Sequence, residues 1–110
     1  MDANATDRYG TVMIGRLREP VAAKDQQMAD LVRRWIDERK VPGFVHEDVM
    51  ICDDGRTIVA TVFFASEAAY RALADDPEQA AWYQDRLAPM LDGEPQWLDG
   101  HWRFAFDGAP

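Results

Sequence analysis

From Thr57 to Ala65 the chain reads TIVATVFFA, and Thr61 is the only polar residue after the first position. A strand with one wet face alternates apolar and polar residues, so this run predicts a strand buried on both faces. At Ser66 the period becomes helical. Ser66 is a good N-cap, Glu67 suits the positive end of a helix dipole, and Ala69, Tyr70 and Leu73 form an inward stripe. Asp75-Asp76-Pro77 interrupts this helix. Asp76 then caps a second one, with Pro77 at its first position and Gln79 placed as in a capping box. Its stripe is Ala80, Tyr83, Leu87 and Leu91, with fraying expected at Pro89.

The same pattern places the remaining elements. Tyr9 to Leu17 predicts a first strand; Gly15 within it marks a bulge, a close approach to the backbone, or a gap for a large neighbour such as Trp35. A helix follows over 21–40, where Met28, Leu31, Val32, Trp35 and Ile36 share one face. Val41-Pro42-Gly43 ends it. Phe44 to Cys52 predicts the second strand, with Phe44, His46, Asp48, Met50 and Cys52 on one side. Asp53-Asp54-Gly55 turns the chain into the third strand, Arg56 to Ala65. Trp97 to Phe106 predicts the last, with Leu98, Trp102, Phe104 and Phe106 on one side and a wet side of Asp99, His101 and Arg103.

The order β-α-β-β-α-β predicts an α+β fold, a ferredoxin-like sandwich with an antiparallel four-stranded sheet. The expected organisation is a flexible N-terminus over 1–8, one domain over 9–106 and a flexible C-terminus over 107–110. Two layers of helix cover one sheet face and leave little chain for the other. A second copy packed sheet against sheet is the expected remedy, giving a homodimer; a monomer with an unusually apolar central strand is the alternative.

Composition narrows the partners. The 110 residues carry a formal net charge of −8 and no basic cluster, which argues against nucleic acid and anionic membrane surfaces. No apolar run approaches membrane-spanning length, and the first residues lack a leader-like pattern. One cysteine, Cys52, precludes an internal disulfide and a cysteine-rich metal site. Together these features predict a soluble cytoplasmic protein.

Val41-Pro42-Gly43-Phe44, the strand ending in Phe63-Phe64, and Ser66-Glu67-x-x-Tyr70-Arg71 followed by Asp76-Pro77 resemble the antibiotic biosynthesis monooxygenase-like family. The resemblance spans about Tyr9 to Phe106 and implies a dimeric α+β barrel. That family includes cofactor-free quinone-forming oxygenases, haem-degrading enzymes, decarboxylases and isomerases, so it implies less about activity than about fold. In its anthrone-oxidising branch, Tyr70 matches a pocket tyrosine. Ala60 stands at an asparagine position, Phe64 at a tryptophan position, and Tyr83 near an arginine position, with Arg86 three residues beyond. The later helix has no histidine for haem.

The candidate chemistry follows. Tyr70 and Tyr83 can donate to a substrate carbonyl or steady an enolate, or pack as core rings with locally satisfied hydroxyls. Trp82 and Arg86, four apart, can wall an aromatic ligand and bind an oxyanion, or form a dimer contact or a surface cation–π pair. His46 can act as a general base or as a hydrogen-bonded strand histidine; His101 reads as a surface residue. Nucleotide, nucleophile-elbow and metal motifs are absent from the sequence. The resulting expectation is a cofactor-independent monooxygenase, or a related small pocket enzyme, acting on an aromatic polyketide-like substrate. Tyr70, Tyr83, His46 and Arg86 would be catalytic, Ala60, Phe64 and Trp82 would line the substrate site, and there would be no cofactor or metal. The alternative is a non-catalytic dimer that binds a small apolar molecule or is purely structural.

Overall fold

The apolar run forms strand β4, Thr57–Phe64, an inner strand of a four-stranded antiparallel sheet. The computed structural model describes residues 4–5, 8–20 and 25–109. In chain order the elements are β1 (Asn4–Ala5), β2 (Tyr9–Arg16), α1 (Asp25–Arg39), β3 (Phe44–Ile51), β4, α2 (Glu67–Ala74), α3 (Pro77–Trp82), β5 (Gln96–His101) and β6 (Phe104–Ala105). The sheet order is β3-β4-β2-β5. The fold is α+β and ferredoxin-like, as the element order predicts.

Local chemistry explains the boundaries. Ser66 Oγ accepts from the Ala69 amide at 3.1 Å, and the Asp76 side chain accepts from the Glu78 amide at 2.9 Å, so both predicted caps form. Gln79 closes no capping box. Its Oε1 instead accepts the Trp35 indole N–H at 2.9 Å, and Arg39 forks onto Asp76 and Glu78 at 3.0 Å each. The end of α1 is thereby tied to the start of α3. In the β3–β4 turn, Asp54 accepts from the Arg56 and Thr57 amides and from the Thr57 hydroxyl. These bonds favour its charged form and hold its carboxyl down at about 2. The helix α1 ends at Arg39, with Lys40 at φ 46° and Gly43 at φ 80°. The expected start of that helix, 21–24, lies outside the described residues, as does most of the expected flexible N-terminus.

Ile58, Ala60 and Phe64 face the helices and are buried with Met13, Leu17, Met28 and Leu91. Full burial of a side chain such as Phe64 stabilises the fold by about 2 kcal/mol. Burial of β4 on both faces does not occur within one chain. Val59, Thr61 and Phe63 are only half-buried, because the helices lie on one side of the sheet and nothing in the same chain covers the other. That outer face also presents Met50 and Leu98, 56% and 49% exposed.

Three further expectations change. Gly15 is neither bulged nor near Trp35; its pairing is regular, and an added Cβ would meet Leu91, Ile58 and Pro95 at ordinary distances. The last strand is broken at Trp102–Arg103: β5 joins the main sheet, while β6 pairs with β1. Residues 4–5 of the expected flexible N-terminus are therefore strand. The supposed wet side of β5 is the helix-facing side, since Trp97, Asp99 and His101 pair with Met13, Thr11 and Tyr9, all buried. A bulge between Phe44 and His46 supplies the fourth correction. It puts Phe44 opposite Phe64 on the helix side, and turns His46, Asp48 and Met50 to the outer face.

Candidate functional site

Between the helix-facing side of the sheet and α1–α3 lies a cavity of about 350 Å³. Its walls are apolar and aromatic: Met13, Ile58, Ala60, Val62 and Phe64 from the sheet, Met28 and Trp35 from α1, Leu73 from α2, and Trp82 and Trp97 at its margins. The polar groups reaching it are Thr11, Glu47, Tyr70, Gln79, Tyr83 and Gln84. Among the described residues, no Lys, Arg or His lines it. A small, mostly apolar hollow with a few fixed polar groups is the usual form of a small-molecule site.

Tyr70 reaches the cavity from the first turn of α2. Its hydroxyl donates to Asp99 Oδ1 at 2.8 Å, and its ring tilts against Tyr9 and meets Phe64 edge-on. Burial first, then the bond to Asp99, pushes its pKa up to about 12. The Arg71 guanidinium sits 5.6 Å from the Tyr9 and Tyr70 ring centroids and donates to Tyr9 Oη at 2.8 Å. Arg71 and Asp99 are 3.8 Å apart, and His101 lies 3.6 Å from Glu67. A polar rim thus closes the sheet end beside Tyr70. It joins residues that parity in β5 assigns to solvent.

Tyr83 opens a widened π turn, Tyr83–Leu87, that continues into a 3-10 turn at Ala88–Met90. Wider turns of this kind redirect side chains and recur at functional sites. Tyr83, Gln84 and Leu87 line the cavity. Burial, then the nearby Glu94 charge, raises the Tyr83 pKa. Asp85 and Arg86 line a separate open groove of about 700 Å³ instead, with Arg18, Arg34 and Glu38. Trp82 borders both hollows.

The structure therefore brings Tyr70, Tyr83, Ala60, Phe64 and Trp82 to one cavity. Two sequence candidates lie elsewhere. Arg86 lies in the adjacent groove, and His46 is on the outer sheet face, 2.8 Å from Asp48. Missing from the sequence candidates is Glu47, half-buried and lining the cavity opposite Val62. Burial first and the Asp48 charge second, with His46 opposing, lift its carboxyl from 4.5 to about 7. The signal was present: Glu47, Val49 and Ile51 share a parity, which puts an acid within an apolar strand face. Among the described residues, no group of three His, Cys, Asp or Glu side chains could hold a metal ion, and no helix is long and apolar enough to cross a membrane.

No family model and no curated protein sequence matches the chain. Solved structures do. A monooxygenase from the gene ActVA-Orf6 of Streptomyces coelicolor, in complex with nanaomycin D, is 27% identical over 92% of both chains, with a TM-score of 0.71. SnoaB, a cofactor-independent oxygenase from Streptomyces nogalater, is 16% identical over 84% of this chain and 92% of its own, with a TM-score of 0.62. A protein from Nitrosomonas europaea assigned to the antibiotic biosynthesis monooxygenases is 13% identical, covering 89% of this chain and 92% of its own, at a TM-score of 0.65. By its architecture, and by its likeness to structures of that group, the chain is an antibiotic biosynthesis monooxygenase-like protein.

Proposed function

We propose that this chain is a monooxygenase that works without a bound organic cofactor on a flat, polyketide-like aromatic substrate. The observation that carries the reading is the closed-in apolar cavity beneath the helices, with aromatic side chains on its walls and phenols at Tyr70 and Tyr83. Its volume suits a small aromatic molecule. The likeness to a monooxygenase that holds nanaomycin D supports the same class of ligand.

In this reading Ala60, Phe64 and Trp82 lie against the rings of the substrate, and Tyr83 donates to one of its oxygens. Tyr70 marks the polar end. The substrate loses a proton, becomes an electron-rich anion and reduces dioxygen directly. An anthrone methylene plus O₂ then gives a quinone carbonyl plus water. The active form is a homodimer, a dimeric α+β barrel in the cytoplasm, with the exposed outer sheet face as its interface. The domain is the stretch 9–106. His46 and Arg86, outside the cavity, have no part in the chemistry.

Oxygen uptake with 1,8-dihydroxyanthrone tests this. Uptake by the wild-type protein, reduced at least about tenfold in Tyr70→Phe, supports the reading. No uptake above the buffer rate across a panel of hydroxylated anthrones and naphthols removes it. A second reading has one observation in its favour. The Tyr70 hydroxyl already donates to Asp99, as in a packing tyrosine, and this suits a dimer that binds a small apolar molecule without turning it over. Ligand binding without turnover across the panel would establish that role.

A further inference from the structure

If the cavity is the substrate site proposed above, it must also contain the group that starts the chemistry by accepting a proton. Only three titratable side chains line it among the described residues: Glu47, Tyr70 and Tyr83. The phenols hold their protons more tightly than an ordinary tyrosine, and neither is a base near neutral pH. Glu47 reaches the cavity from β3, on the same sheet face as Val49, Ala60 and Val62. Among the described residues, no donor satisfies its carboxylate, unlike the Asp54, Asp76 and Asp99 carboxylates, which all accept hydrogen bonds. An acceptor left open toward an apolar hollow costs stability in the resting protein and is available to a ligand.

We propose that Glu47 is the catalytic base: its carboxylate takes the acidic C–H or O–H proton of a neutral hydroxylated aromatic bound in the cavity. The O–H bond on Glu47 forms as the substrate C–H or O–H bond breaks, and the electron pair stays on the substrate as a delocalised enolate or phenolate. With dioxygen as the oxidant, that pair and the second methylene hydrogen account for the carbonyl and the water. The charges around Glu47 suit the task. On its own strand, His46 and Asp48 face the other side of the sheet. Across the cavity, α2 and the π turn present Tyr70 and Tyr83, while α1 and β5 present Met28, Leu31, Val32, Trp35 and Trp97. No described cation pairs with Glu47 there, so the carboxyl titrates near the pH at which it would work, which is the best compromise for a general base. The same lack of a cation disfavours a ligand that arrives as a carboxylate. The substrate class is therefore a neutral aromatic that gives up a proton inside.

The test separates proton removal from oxygen chemistry. The wild-type protein, Glu47→Gln and Glu47→Asp are incubated anaerobically with 1,8-dihydroxyanthrone in D₂O, and deuterium entering its methylene is followed by mass spectrometry across pH. Binding is measured in parallel by quenching of tryptophan fluorescence. The expected result is catalysed exchange by the wild-type protein with a pH limb near 7. Exchange falls at least ~100-fold and the limb disappears in Glu47→Gln, part of the rate returns in Glu47→Asp, and affinities stay within about threefold. Exchange by Glu47→Gln at the wild-type rate overturns the assignment, as does absence of catalysed exchange in the wild type. Wild-type exchange that depends on Glu47 without oxygen uptake leaves the base in place and removes the monooxygenase reading. Oxygen uptake equal in wild type and Glu47→Gln does the reverse.

Discussion

Glu47 makes the stability of the protein depend on pH in a direction opposite to that of most carboxylates. Its native pKa of about 7 lies above its ordinary value of 4.5. Between those two values the native state binds its proton more tightly than the unfolded chain does, so stability falls as pH rises through the window and levels off above it. Each tenfold difference in proton affinity is worth ~1.4 kcal/mol, which makes the full loss about 3 kcal/mol, and about 2 kcal/mol of it falls between about pH 5.5 and pH 8.5. Glutamine is close in shape and does not ionise. Glu47→Gln should therefore be only slightly more stable than wild type at the lower pH and clearly more stable at the higher one. With a urea m-value of about 1.5 kcal/mol/M, the gap between the two denaturation midpoints widens by roughly 1.3 M over that interval. Both proteins are to be compared at one concentration, since self-association would shift both curves. A midpoint gap that stays constant with pH would refute the reasoning: it would mean that water or a donor solvates the carboxylate and that the cavity wall is wet where it borders Glu47.

Two other outcomes follow from the backbone and the outer sheet face. Lys40 holds a left-handed φ of 46° at the end of α1, so Lys40→Gly should stabilise the fold by ~1 kcal/mol and raise Tm by about 4 °C, while an unchanged or lower Tm argues against strain there. Phe63 lies on the half-buried outer face beside Trp102, so Phe63→Glu should turn a wild-type dimer into a monomer in sedimentation at micromolar concentration; a wild type that sediments as a folded monomer defeats the dimer proposal.

The elements were legible because their signals are local. The Ser66 and Asp76 caps, the turn through Gly55 and the helical spacing of Met28 to Ile36 each depend on a few neighbours in sequence. The cavity residues Tyr70, Tyr83, Ala60, Phe64 and Trp82 were legible for the same reason, being fixed by stripe or parity within one element. What stayed hidden depends on departures from a regular period. One extra residue near Val45 changes which of Phe44 and His46 faces the helices, and no side-chain pattern announces it. A break at Trp102 leaves β5 an edge strand whose Asp99 and His101 meet α2 rather than water. Arg86 went astray through the π turn, which rotates residues out of the register that 3.6-residue spacing assumes. Glu47 was visible as an acid among Val49 and Ile51, but its significance required knowing that a hollow, not packed core, lay against that face.

The Tyr83–Leu87 turn has a mechanical consequence. An α-helix advances about 100° per residue. Deleting a single residue there, such as Gln84, would let the coil relax to ordinary winding while swinging every downstream side chain by that angle. Leu91, now sealed in the core against Leu17, would be carried off its seat. The surplus residue works as a fixed gear offset: one short stretch of chain can aim an aromatic phenol into the dry chamber and a guanidinium into the charged trough next door.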